Sequence, residues 1–154
     1  MKKSIILVAA FLVTIVFAVS AADFSGTWKL NKSKSKLGDQ FSMAPLSLIA
    51  AQSGNDFNVE KRLSFQEQEI ITKEKYTLDG KESINPGWQD SQKKSTAVWS
   101  ADKNSLTITS KLPMGDSDMT TIEIYKIVDG NLVIESKMSS SFGENNETMV
   151  FDKQ

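Results

Sequence analysis

From Phe24 to the C-terminus, apolar residues recur at every second position in short runs, and these runs are separated by clusters of Gly, Asn, Asp and Ser. Period-two alternation puts apolar side chains on one face of an extended strand and polar ones on the other. In Ser105-Leu106-Thr107-Ile108-Thr109 the two apolar residues share a face and the three hydroxyls share the opposite one. No stretch carries a helical period. The pattern predicts strands at 24–31, 46–52, 56–65, 69–78, 96–100, 105–112, 119–128, 131–139 and 147–153, with 81–84 as a tenth.

The breaks between runs are Gly54-Asn55, Asp79-Gly80, Asp102-Lys103-Asn104, Asp129-Gly130-Asn131 and Gly143-Glu144-Asn145-Asn146. Such residues tolerate the positive φ of tight hairpin turns, so neighbours in sequence should be neighbours in the sheet. Three connections look longer, at 32–45, 85–95 and 113–118. The fold predicted is all-β: an antiparallel meander of about nine to ten strands closed into a barrel, which removes exposed edges. A β-sandwich is the alternative. One residue breaks the pattern: Lys61 stands on the apolar face that Phe57, Val59, Leu63 and Phe65 otherwise form.

The first 22 residues read differently. Lys2 and Lys3 precede an apolar run over 5–19, then Ser20-Ala21-Ala22 lead into Asp23. Basic, apolar and small residues in that order are the pattern of a secretory signal peptide. The apolar run of fifteen residues is shorter than the roughly 20 that span a bilayer as a helix. The expected organisation is a signal peptide over 1–22 and one barrel domain over 23–154, periplasmic or secreted, with no membrane insertion after cleavage. No Cys stands near the cleavage site for lipid attachment.

Composition then narrows the chemistry. The leader carries two of the 18 basic residues and none of the 19 acidic ones, which leaves the mature chain at a net charge of −3. That balance gives no electrostatic reason to expect nucleic acid as a partner. Cys and His are both absent, which removes the usual nucleophile activator and the commonest zinc and haem ligand. Neither an enzyme, a cofactor nor a metal site is expected. Glu67, Glu69, Glu74 and Glu82 could supply paired carboxylates, but their spacing selects no pair. Asp116 and Asp118 lack the remaining ligands of a calcium loop, and Lys32, Lys34 and Lys36 read as a solvated run.

The segment Phe24-Ser25-Gly26-Thr27-Trp28-Lys29-Leu30 resembles the Gly-x-Trp first strand of lipocalins and the opening of intracellular fatty-acid-binding proteins, both calycin-type barrels. With Tyr76-Thr77-Leu78-Asp79-Gly80-Lys81-Glu82 and Met149-Val150-Phe151-Asp152-Lys153, the chain is also similar to small exported bacterial proteins of lipocalin-like type. The resemblance implies that Trp28 plugs the closed end of a barrel and that Gly26 allows close backbone approach. It also implies a basic residue packed across Trp28 from a late strand, for which Lys153 is the candidate.

For ligand contacts the candidate set is Trp88, Trp99, Tyr125 and Arg62. Trp88 sits in a long connection, where binding residues concentrate, while Trp99 and Tyr125 also suit strand-end core positions. The function expected is an exported binding protein for a small, partly apolar molecule. The alternative is an envelope or secreted protein-interaction module with a filled core and no ligand.

Overall fold

A computed structural model describes residues 20–38, 42–65, 68–88 and 90–154. All but the last three residues of the expected signal peptide, and Glu67, lie outside the described residues. Ten strands follow in chain order: β1 (Gly26–Leu30), β2 (Ser47–Ser53), β3 (Asp56–Phe65), β4 (Gln68–Thr77), β5 (Glu82–Pro86), β6 (Gln92–Trp99), β7 (Ser105–Met114), β8 (Ser117–Val128), β9 (Asn131–Ser140) and β10 (Gly143–Lys153). They form one sheet, in the order β4-β3-β2-β1-β10-β9-β8-β7-β6-β5. Every pairing is between sequence neighbours except β1 with β10, where Trp28 stands opposite Lys153. This is a meander in a single sheet, not a sandwich.

β4 and β5 meet without a main-chain ladder, and side chains bridge the seam. The Lys75 amide donates to Asn85 Oδ1 at 2.7 Å, and Asn85 Nδ2 donates back to the Lys75 carbonyl at 3.0 Å. The Thr77 amide donates to Ser83 Oγ at 3.1 Å. A buried carboxamide thus imitates the donor and acceptor of a neighbouring strand, which meets the need to pair buried backbone groups. The barrel is nearly closed.

Strand length is where the structure departs from the sequence reading. The connection expected over 85–95 is confined to 87–91, because β5 reaches Pro86 and β6 begins at Gln92. β10 begins at Gly143, four residues ahead of the expected start at 147, and β7 and β8 approach within two residues of each other. The added strand residues include Lys93, Ser95 and Asn145, which share the inward parity of Ala97 and Met149. A polar inner face erases the alternation that marks a strand, although the backbone pairing continues. Only the connection from Leu30 to Ser47 remains long, and its described part contains no helix. It continues along β10, with Lys36 and Thr148 exchanging backbone hydrogen bonds.

Because the chain meanders, the turns after β2, β4, β6 and β8 gather at one end. That end is packed with Phe24, Trp28, Phe57, Tyr76, Leu106, Tyr125, Leu132 and Phe151, all buried. Phe24 is the hub: it stacks on Trp99 at 5.7 Å and meets Phe57 and Tyr125 edge-on at 6.0 and 5.9 Å. Such pairs add about 0.5–1.5 kcal/mol each beyond area burial. The Trp28 indole donates from Nε1 to the Phe24 carbonyl at 2.9 Å, and Lys153 Nζ lies 5.5 Å from the ring centroid. Gly26 has φ +144°, and a Cβ there would stand 3.2 Å from Lys153 Cε. Glycine is therefore required both for the backbone conformation and for the lysine's path over the indole.

Candidate functional site: the open half of the barrel

The other end of the barrel is built from the same strands but lined differently. Beyond Val59, Tyr76, Ala97, Ile108 and Tyr125, the next inward positions are Lys61, Glu74, Ser95, Ser110 and Glu123. Lys61 Nζ donates to both oxygens of Glu123, at 2.8 and 2.9 Å, and lies 3.6 Å from Glu74 Oε2. Lys93 Nζ contacts the other Glu74 oxygen, and the Tyr76 hydroxyl donates to Glu74 Oε2. The Tyr125 hydroxyl reaches Glu123 at 3.5 Å. Nearby, the Ser95 and Ser110 hydroxyls pair at 2.8 Å. Four strands, β3, β4, β6 and β8, each contribute one charge, so only closure of the barrel assembles the group.

The side chains of this quartet retain some exposure, 12% for Lys61, 13% for Glu123 and 18% for Lys93. Leu63, Thr72, Met119, Thr121, Ser136 and Met138, further along the same inward faces, are also partly accessible. Water therefore reaches the interior from this end. At the aromatic end, Phe24, Trp28, Phe57, Tyr76 and Tyr125 are all buried.

Burial works against the Lys61 ammonium, but Glu123, with Tyr125 and Tyr76 beside it, outweighs this and holds it well above its ordinary range. Burial likewise works against the Glu123 carboxylate. Lys61, by charge and hydrogen bond, outweighs it and keeps the group below its ordinary range. Lys93 differs: burial and then the Lys61 charge bring it down to about 8, with Glu123 acting in opposition. Burial pushes both phenols up, so Tyr76 and Tyr125 remain protonated donors.

The candidates from the sequence fall in separate places. Tyr125 points its hydroxyl into the quartet. Trp99 packs on Phe24 at the sealed end, away from the open interior. Arg62 lies on the outer wall, where it pairs with Glu60 and Glu69, because β3 alternates and Lys61 takes the inward position. Trp88 is 60% exposed in the connection between β5 and β6, at the rim of the open end. Sequence reasoning missed Lys93 and Glu123 altogether. The sign available was Lys61, whose inward charge required partners of opposite sign.

Comparison with solved structures shows the class of fold. Zebrafish ileal bile acid-binding protein, solved in complex with cholic acid, aligns with a TM-score of 0.56 at 18% identity, covering 85% of this chain and 98% of that one. Human cRBP IV aligns with a TM-score of 0.55 at 19% identity, covering 86% and 99%. The chain has the antiparallel meander-barrel fold of these two structures. No family model and no curated protein sequence matches it.

Proposed function

We propose that this chain is an exported carrier that takes a small, partly apolar molecule into the open half of its barrel. The observation that carries the reading is the division of the interior: one half is sealed by aromatic packing, while the other is water-accessible and lined by polar side chains beside Leu63, Met119 and Met138. A site that sets a few apolar side chains beside placed polar groups suits a small amphiphile. One structural neighbour is a bile acid-binding protein solved with cholic acid bound. Export rests on the basic, apolar and small order of residues 2–22. No step of chemistry is assigned to the quartet, whose four charges neutralise one another.

The test is native mass spectrometry of the protein purified from its own host. The expected result is a bound small molecule on a polypeptide that starts at Asp23 or Ala22. A bare polypeptide that also fails to take up an apolar dye would favour the interaction-module reading. Residues 1–22 still attached in the mature pool would overturn export.

A further inference from the structure

The inward charges already answer one another. Lys61 is held by both Glu123 oxygens and stands near Glu74, and Lys93 contacts Glu74. A third inward carboxylate, Glu147, is buried and accepts the Gly38 amide at 2.8 Å. Among the described residues of the open half, two ammonium groups thus share the interior with three carboxylates.

A carboxylate ligand entering this space would find both cations engaged. Pairing with Lys93 would require it to displace Glu74, leaving a mostly buried carboxylate with only Lys61 at 3.6 Å and the Tyr76 hydroxyl, which is unfavourable. If Glu74 stayed in place, the ligand would add a like charge to the same low-dielectric space. A hydroxyl meets neither obstacle. It can donate to a spare lone pair of Glu74 or Glu123, since a carboxylate accepts at about four sites. Thr72, Thr121 and Ser136 supply further polar partners on the same inward faces.

We infer that the barrel selects amphiphiles whose buried end is uncharged and hydroxylated, with Glu74 and Glu123 as the specificity-determining residues that exclude carboxylates. This rests on the carrier reading above. It also separates the chain from a barrel that holds an acid.

Isothermal titration calorimetry of the exported protein at pH 7 tests it, with a monoacylglycerol and the fatty acid of equal chain length, each kept below its micelle concentration. The wild type should favour the monoacylglycerol by about tenfold or more, the equivalent of one pKa unit of charge interaction. Glu74→Gln frees Lys93 and should move the ratio toward the fatty acid by a similar factor. Lys93→Gln should move it the other way. Glu69→Gln, on the exposed outer wall, should leave it unchanged. Because the two interior variants shift the ratio in opposite directions, either one that retains the native circular dichroism spectrum suffices. Equal or tighter binding of the fatty acid by wild type, or a ratio that a folded interior variant does not move, overturns the selection while leaving the carrier reading intact. Binding of neither lipid, together with no ligand on protein from the native host, removes both.

Discussion

The two halves of this barrel use the same strands to opposite ends. Toward the turns after β2, β4, β6 and β8, most inward positions are apolar and buried, and stability there comes from area removed from water and from aromatic contacts around Phe24. Toward the opposite rim, the inward positions carry Lys61, Glu74, Lys93 and Glu123, and the half-open interior is held by mutual neutralisation. The difference teaches that one half is optimised for closure and the other for a specific, partly wet interior. Substituting a buried ion pair with matched apolar side chains is often neutral or stabilising, so stability alone does not account for the network.

The largest expected effect tests the sealed half. Trp28→Ala removes the indole, its bond to the Phe24 carbonyl and the surface under Lys153. Large aromatic truncations in cores cost about 3–5 kcal/mol, a large share of the roughly 5–15 kcal/mol that stabilises a domain. Urea unfolding followed by circular dichroism measures it without depending on the lost fluorophore. A loss within about 0.5 kcal/mol, the scale of surface substitutions, would remove the plug role.

In the open half the informative pair is Lys61 with Glu123. Lys61→Met leaves Glu123 without its main partner and should cost about 3 kcal/mol, the low end for breaking a buried pair because water reaches this interior. Lys61→Met with Glu123→Leu should recover most of that loss, and a double-mutant cycle reads the coupling. If the double variant were less stable than the sum of the singles, the neutralisation argument would fail. The same pair sets an acid limit. Glu123 is held below the ordinary carboxylate range in the folded protein, so its contribution is present above the unfolded pKa and is lost as pH falls through the folded one. Stability measured by urea unfolding should decline below about pH 4.5, and Glu123→Gln should reduce that decline.

The seam gives a smaller effect. Asn85→Ala deletes both bonds that stand in for a strand pairing at Lys75, and the expected cost is about 2 kcal/mol, from unsatisfied buried backbone groups. Hydrogen exchange should show faster exchange of the Lys75 amide, while the amides of the β8–β9 ladder keep their protection. Uniform loss of protection across the sheet would mean that the seam does not act locally.

Trp88→Ala is expected to change least. The residue is 60% exposed at the open rim, and surface substitutions away from special features stay within about 0.5 kcal/mol. Urea unfolding of this variant beside Trp28→Ala compares rim and plug directly, and matching losses would erase the contrast between them.

What was legible in the sequence follows the same division. Where the inner face is apolar, as in Ser105–Ile108 or Phe57 and Val59, alternation reveals the strand and its orientation together. Where the inner face is polar, as at Lys93, Ser95 and Asn145, both faces look alike and the first parts of β6 and β10 read as loop. Lys61 stood out because it interrupted an otherwise apolar face. The other members of the quartet lie 13, 32 and 62 positions away in the chain, at Glu74, Lys93 and Glu123, and no local pattern links them.

By itself, then, the order of residues determined the strand-rich character of the chain, the meander and the Gly26–Trp28 opening, because alternation, turn residues and a single large aromatic act over a few positions. The tertiary structure decided which end is sealed, how the β4–β5 seam is bridged, that Arg62 faces outward, and that four charges from four strands meet inside. These depend on closure of the sheet. Closure brings β1 against β10 and sets the register by which distant inward positions become neighbours, and that register is fixed by pairing across the whole barrel, not by any one segment.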